Sequence, residues 1–338
     1  MLPNPDDIIA RLKAFQANVR SLLIDSRKAK DLHAVSRASS ADTIYAIDAV
    51  VEPVLVAFCQ DWAKTTPLVL VAEGLEGPDG HEVDRLTFPL GSREEDAQIR
   101  VIVDPIDGTR GIMYDKRAAW ALAGVAPNKG PNTRLRDIEA AVMTELPTSK
   151  MGSADVLWAI KGRGAHGERV DLRTGEASPL PIAPSQATDI RHGFAQVANF
   201  FPGTKRIAGE LMDHLAERLI GPADVTKAMV FDDQYISTGG QFYEAIVGHD
   251  RFNADLRPYF YRIQGQPEGL CCHPYDCATL LVAEEAGVIV TDGLCNPLDG
   301  PMDVTTGMSW AIYANRTLQQ KIEPLLTAFL TERMTSKA

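Results

Sequence analysis

Apolar positions along this chain repeat with two periods, and the places where the period changes mark the elements. Ile8, Ile9, Leu12, Phe15, Val19 and Leu22-Leu23 recur at three- and four-residue steps, which predicts an amphipathic helix docked on the body. A second helix is predicted over about 42–64, with Ile44, Ile47, Val51, Val54, Leu55, Phe58 and Trp62 on one stripe. The period then shortens. "PLVLVAEG" reads as a buried strand ending at Glu73, and "GPDGHEVDRLTFPLGSREEDAQ" as an exposed excursion. "IRVIVDPIDGTRG" opens with a second buried strand that ends at Asp104. Pro105 cannot continue a ladder, and Gly108-Thr109 makes a turn able to start a helix with its N–H groups pointing outward.

"WALAGVA", "EAAVMTEL" and "DVLWAIKG" predict strands of an antiparallel sheet. The weakly periodic "GEASPLPIAPSQATD" places a boundary near residue 185, giving an N-terminal subdomain of 1–185 and a C-terminal one of 186–338. Beyond it, helical "GTKRIAGELMDHLAERLI" and "TLQQKIEPLLTAFLTERM" interleave with shorter apolar runs. In "YDCATLLVAEEAGVIVTD", Asp276 stands where a helix begins and Gly287 where it ends. Helices and strands alternate without a strict βαβ rhythm, which points to a layered α/β or α+β architecture.

Charge narrows the function. A net charge of -11 argues against nucleic acid as a partner, because counterion release needs a basic face. No apolar run approaches the ~18 residues needed to span a membrane, and the N-terminus lacks the basic start and cleavage site of a signal peptide. Five cysteines, with Cys271 and Cys272 adjacent, give neither a disulfide framework nor zinc spacing, and fit a reducing, cytoplasmic setting.

Against that background, five acids stand at element ends or apolar flanks: Asp48, Glu73, Asp104, Asp107 and Asp276. Asp48 falls on the flank of its helix's apolar stripe, where a carboxylate needs a partner. A salt bridge explains it alone, as a loop position explains Glu73 and an N-cap explains Asp276. Together they offer oxygen ligands from distant segments, the usual construction of a magnesium site that leaves positions for water and phosphate. Glu73 and Asp104 emerge at one edge if their strands are parallel neighbours.

"TIYAIDAVVE", "VLVAEG", "DPIDGT", "LWAIKGRGAHGERV" and "YDCATLLVAEEAGVIVTDGLCNPLD", in that order, resemble the inositol monophosphatase family of magnesium-dependent, lithium-sensitive phosphatases, over about 42–315. The superfamily includes fructose-1,6-bisphosphatase and 3′-phosphoadenosine phosphatase. The resemblance implies an α+β fold, a layered α/β/α/β/α sandwich of the sugar-phosphatase type with its active site between two subdomains, and commonly a homodimer. It also implies that Glu73, Asp104 and the Ile106 carbonyl hold one Mg2+, and that Asp104, Asp107 and Asp276 hold a second. The N–H groups of Gly108 and Thr109 would bind phosphate, and Thr109 with Asp48 would polarise the attacking water.

The chain departs from the family in three places. Gly74 replaces a second acid after Glu73, which weakens a third metal position, and Tyr275 replaces a tryptophan. Arg110-Gly111 follows "DGT" in place of a pair ending in Phe, closer to the 3′-phosphoadenosine phosphatases, so Arg110, Lys116 and Arg117 are candidates to meet a second phosphate. Asp255, Arg257 and His273 are further candidate substrate contacts.

The leading expectation is therefore a magnesium-dependent phosphomonoesterase for a small phosphorylated metabolite, such as an inositol, sugar or polyol phosphate. Its rivals are a bisphosphate-specific phosphatase and a non-catalytic metal or phosphometabolite binder that keeps the fold.

Overall fold

The computed structural model describes residues 1–26, 35–38, 43–77, 79–224 and 226–335, with the backbone alone described for 35–38 and 43–50. The N-terminal stripe forms helix α1 (Pro5–Ser26). Strands β1 (Val35–Ala38) and β2 (Thr43–Tyr45) pair with each other, and helix α2 (Ala46–Trp62) follows. The predicted second helix is thus shorter at its start, because 43–45 is extended.

The short-period segments form one eight-stranded sheet. Its strands are β3 (Leu68–Glu76), β4 (Glu82–Phe88), β5 (Ile99–Asp107), β6 (Ala119–Pro127), β7 (Ala140–Leu146), β8 (Ser153–Ile160), β9 (Ala165–Asp171) and β10 (Ala177–Pro179). The order across it is β10-β9-β8-β7-β6-β5-β3-β4, antiparallel except for β3 beside β5. The first expectation corrected here concerns 77–98: part of the supposed excursion is β4, hairpin-paired to β3 on the sheet edge, where one face is enough to bury Leu86 and Phe88. The second concerns Glu73. Strand β3 does not end there but runs to Glu76 through a register shift between Val71 and Leu75, where Gly74 takes a φ of 73° that other residues rarely adopt.

Alternation along these strands builds two cores. Leu68, Leu70, Val101, Val103, Ala121 and Val142 face α1 and α2. Val69, Val71, Ile102, Trp120, Leu122 and Met143 face the other way, onto α5 (Thr238–Ile246) and α7 (Leu280–Glu285).

A second sheet lies beyond those helices, ordered β11 (Phe194–Val197), β12 (Asp250–Asp255), β14 (Trp310–Tyr313), β13 (Ile289–Thr291). Its outer face packs through Phe252, Ala254 and Tyr313 on α4 (Lys205–Ile220), α6 (Arg257–Gln264) and α8 (Arg316–Thr335). The layers are α/β/α/β/α, as the resemblance implied. Among the described residues, no helix is long and apolar enough to cross a membrane.

Candidate active site

Parallel pairing of β3 with β5, in the register Leu70↔Val101 and Val71↔Ile102, carries Glu73 and Asp104 to the same edge of the large sheet. Beyond Asp104 the β5–β6 register shifts, so that Asp107 lies opposite Trp120 and turns inward as well. Gly108 then has a φ of 94°, and the short helix α3 (Thr109–Met113) begins. A Cβ at Gly108 would lie 3.0 Å from Ser237 Cβ and 3.2 Å from the Ile236 carbonyl oxygen, so both backbone conformation and space require glycine there.

Asp276 arrives from the far side of the chain. It is not the helix cap that the sequence pattern indicated. The segment 274–279 turns through i→i+3 bonds, from Cys277 N–H to Pro274 O and from Ala278 N–H to Tyr275 O, and α7 starts only at Leu280. The Asp276 carboxylate instead accepts the His273 N–H at 2.6 Å.

Carboxylate oxygens of Asp104, Asp107 and Asp276 all lie within 4.8 Å of one another. Asp104 Oδ1 accepts the Ile106 N–H at 3.0 Å, and Asp107 Oδ2 accepts the Ser237 hydroxyl at 2.8 Å and the Gly239 N–H at 2.6 Å. Among the described residues, none of the three forms an ion pair with Lys, Arg or His. Burial, followed by the charges of Asp107 and Asp276, pushes the Asp104 carboxyl well above its ordinary range. Burial and the Asp107 charge do the same to Asp276. Asp107 is pushed up by burial to about 6, held down in part by its donors from Gly239 and Ser237. Three mutually repelling acids, Asp107 buried and Asp276 half-buried, are costly unless a cation sits among them. Octahedral magnesium holds oxygens at roughly 2.0–2.1 Å, so its ligands lie up to about 4.2 Å apart, and this cluster fits one ion after a small contraction.

Two further groups orient the cluster. Tyr275 donates its hydroxyl to Glu73 Oε2 at 2.9 Å, and Ser237 caps α5 by accepting the Gly240 N–H at 2.9 Å while donating to Asp107. Ser237 was not singled out in the sequence, although a serine immediately before an apolar helical run is the signal for a cap. The Thr109 hydroxyl donates to the Ile106 carbonyl at 2.8 Å, which leaves that oxygen a second lone pair. Asp48 lies in α2, but its side chain is outside the described residues.

Glu73, Asp104, Ile106, Asp107, Gly108, Thr109, Arg110 and Asp276 line one cleft, with Phe200, Phe201 and Arg257 on its wall. Of the basic candidates, Arg110 and Arg257 belong to the cleft. Arg117 does not: it pairs with Asp233 and, at 2.8 Å, with Glu244, and lies 3.8 Å from the Tyr235 ring centroid. Lys116 is exposed outside the cleft. His273 and Asp255 are buried behind the wall, His273 stacked on Tyr275 at 5.6 Å and Asp255 paired with Arg257.

No protein-family model and no curated protein matches the sequence. Solved structures do match the fold. A fructose-1,6-bisphosphatase from Leishmania major has a TM-score of 0.65 at 15% identity, covering 97% of this chain and 95% of its own. A Thermotoga maritima IMPase gives 0.61 at 15%, covering 97% and 99%. An inositol monophosphatase from Anabaena gives 0.58 at 15%, covering 98% and 97%. The chain therefore has the fold shared by inositol monophosphatases and fructose-1,6-bisphosphatases, which is the resemblance its motifs carry.

Proposed function

We propose that this protein is a magnesium-dependent phosphomonoesterase acting on a small phosphorylated metabolite, an inositol phosphate or a related sugar or polyol phosphate. The observation that carries the reading is the clustered triad Asp104, Asp107 and Asp276, none of which forms an ion pair among the described residues. The fold supports it, since the structures it matches are described as a fructose-1,6-bisphosphatase and inositol monophosphatases.

In this reading Asp104, Asp107 and Asp276 hold one Mg2+, and Glu73, Asp104 and the Ile106 carbonyl hold another. Bound magnesium supplies positive charge against the phosphoryl oxygens and makes a water acidic enough to attack near neutral pH. The chain's own contribution is orientation. Ser237 and Gly239 lock Asp107, Tyr275 holds Glu73, and the His273 N–H holds Asp276, so the carboxylates are set before substrate arrives. The N–H groups of Gly108 and Thr109, at the start of α3, receive the phosphate. Thr109 and Asp48 orient the attacking water. Gly74 leaves a third metal position without its second acid. We also place the subdomain boundary near 185, and the reading includes lithium sensitivity, a cytoplasmic setting and a homodimer, the last checked by light scattering.

The test is phosphate release from inositol 1-phosphate, fructose 1,6-bisphosphate, 3′-phosphoadenosine 5′-phosphate and simple sugar phosphates, each with magnesium, with chelator and with lithium. Magnesium-dependent, lithium-suppressed release that collapses in Asp104→Asn is expected. Release that survives Asp104→Asn would sink the reading, and silence on every substrate from protein that still binds magnesium would favour the non-catalytic binder.

A further inference from the structure

We propose that Arg257 determines specificity by receiving a second oxyanion, carboxylate or phosphate, on the leaving portion of the substrate, while Phe200 and Phe201 pack on the framework that carries it. The inference rests on the phosphatase reading and narrows its substrates from neutral polyol phosphates to those that carry a second anion.

Arg257 opens α6 directly after β12 and is 5% exposed, yet it lines the cleft that holds the acids. Its orientation is fixed from behind. Nε donates to the two Asp255 oxygens at 2.8 and 3.0 Å, Nη2 also donates to Asp255, and Nη1 donates to the Leu270 carbonyl at 3.1 Å. A guanidinium carries five N–H groups, so among the described residues these contacts leave one on Nη1 and one on Nη2. A pair serving structure alone would turn those N–H groups to protein acceptors, since a buried donor left unpaired is costly. Here Arg257 borders the cleft instead.

The surroundings narrow what can fill it. The Arg257 guanidinium carbon lies 5.4 Å from the Phe200 ring centroid and 5.5 Å from that of Phe201, and Arg110 lies 5.4 Å from Phe201. The two rings meet edge to face at 6.0 Å. The wall across from the carboxylates is therefore aromatic and cationic, with Asp255 paired to the rear of Arg257. A neutral polyol would leave a charged fork facing hydroxyls, whereas a planar oxyanion accepts both remaining N–H groups together. The apolar rings favour a leaving portion with a flat or hydrocarbon face next to that anion.

The experiment compares phenyl phosphate with 4-carboxyphenyl phosphate, and glycerol 3-phosphate with 3-phosphoglycerate, alongside fructose 1,6-bisphosphate, in magnesium. It uses the wild-type chain, Arg257→Lys and Phe201→Leu. The preference for each carboxylated member over its neutral partner is expected to fall roughly tenfold or more in Arg257→Lys, as loss of hydrogen bonds to a charged group implies. The change should sit in KM, because the contact is made in ground and transition states alike. A loss confined to fructose 1,6-bisphosphate assigns phosphate as the anion, and one confined to the carboxylates assigns carboxylate. Phe201→Leu should lower kcat/KM for both aryl esters relative to glycerol 3-phosphate. Where Arg257→Lys does not fold, the double variant Asp255→Asn/Arg257→Gln supplies a neutral pair of similar volume. Unchanged discrimination in a folded Arg257 variant would overturn the inference while leaving phosphatase activity standing. Should no substrate be hydrolysed, the phosphatase reading fails instead, and calorimetric binding of phenylphosphonate against 4-carboxyphenylphosphonate still decides the role of Arg257: equal discrimination in wild type and Arg257→Lys overturns it.

Discussion

Gly124 ties the large sheet to the segment that delivers Asp276, and replacing it by alanine tests whether that spacing controls the site. Gly124 lies in β6 between Ile102 and Ala141. A Cβ there would sit 2.5 Å from the Ala278 carbonyl oxygen and 2.7 Å from Ile138 Cδ1. Ile138 can change rotamer, but Ala278 offers backbone, two residues from Asp276. Restoring an ordinary contact of roughly 3.3 Å requires a backbone shift of about 0.8 Å, and overpacking of this kind costs ~1–3 kcal/mol. At roughly 2–4 °C per kcal/mol for a chain of this size class, Gly124→Ala should lower Tm by about 2–12 °C. The same shift moves one carboxylate of the triad, and ~1 Å of misplacement can cost a hundredfold in function. The magnesium concentration for half-maximal phosphate release should therefore rise, and the Tm gain on adding magnesium should shrink. Gly209→Ala is the control: Gly209 lies inside α4 with nothing within 4 Å of a new Cβ, and loss of backbone freedom in the unfolded chain should stabilise it by about 0.5–1 kcal/mol. Scanning calorimetry with and without magnesium reads both variants. Wild-type Tm together with wild-type magnesium dependence in Gly124→Ala would refute the reasoning. A lowered Tm with unaltered magnesium dependence would show that the backbone at Ala278 moves without carrying Asp276.

Other expectations follow from single contacts. Ser237→Ala removes both the α5 cap and a donor to Asp107, so a loss of about 2 kcal/mol is expected in denaturant titration, together with weaker magnesium binding; a loss of stability alone would limit Ser237 to capping. Tyr275→Phe keeps the ring and removes the donor to Glu73, so it should change stability little while raising the magnesium requirement, and an unchanged requirement would argue against Glu73 as a ligand. Stability should also fall as pH rises from about 4 to about 7, because burial pushes the carboxyls of Glu145 and Asp250 each up to about 7, Asp250 further raised by the Glu244 charge. A carboxyl whose folded pKa lies above its unfolded value near 4 binds more protons when folded across that window, so deprotonation favours unfolding. Glu145→Gln and Asp250→Asn should flatten the Tm-against-pH curve, and an undiminished slope in both would exclude them as its source.

The sequence-level signals that proved legible are those in which local chemistry and local geometry coincide. In 99–111 an apolar run, two acids, a proline and a glycine announce a strand, a turn and a short helix, and all three follow, but β5 does not end at Asp104 as expected: it continues through Pro105 to Asp107 by shifting its register against β6. The hairpin strand β4 was missed because it is an edge strand, where Glu82 and Arg85 stay exposed while only Leu86 and Phe88 are buried. Asp276 was placed near a helix start by a sound rule, but that rule cannot distinguish a carboxylate capping its own helix from one accepting the His273 N–H in the preceding turn. Phe200 and Phe201 carry no motif that singles them out, and only the folded packing places them beside Arg110 and Arg257. What no local pattern contains is which element ends meet. Glu73 and Asp104 are neighbours because β3 and β5 lie parallel in one register, and slipping that register by one residue would turn every side chain of one strand to the opposite face. The apolar alternation that buries Val69, Val71 and Ile102 against the inner helices, and Leu70, Val101 and Val103 against α1 and α2, forbids the slip. The placement of the site acids is thus a by-product of core packing, and the two cores fix the site's geometry more strongly than any contact among the acids themselves.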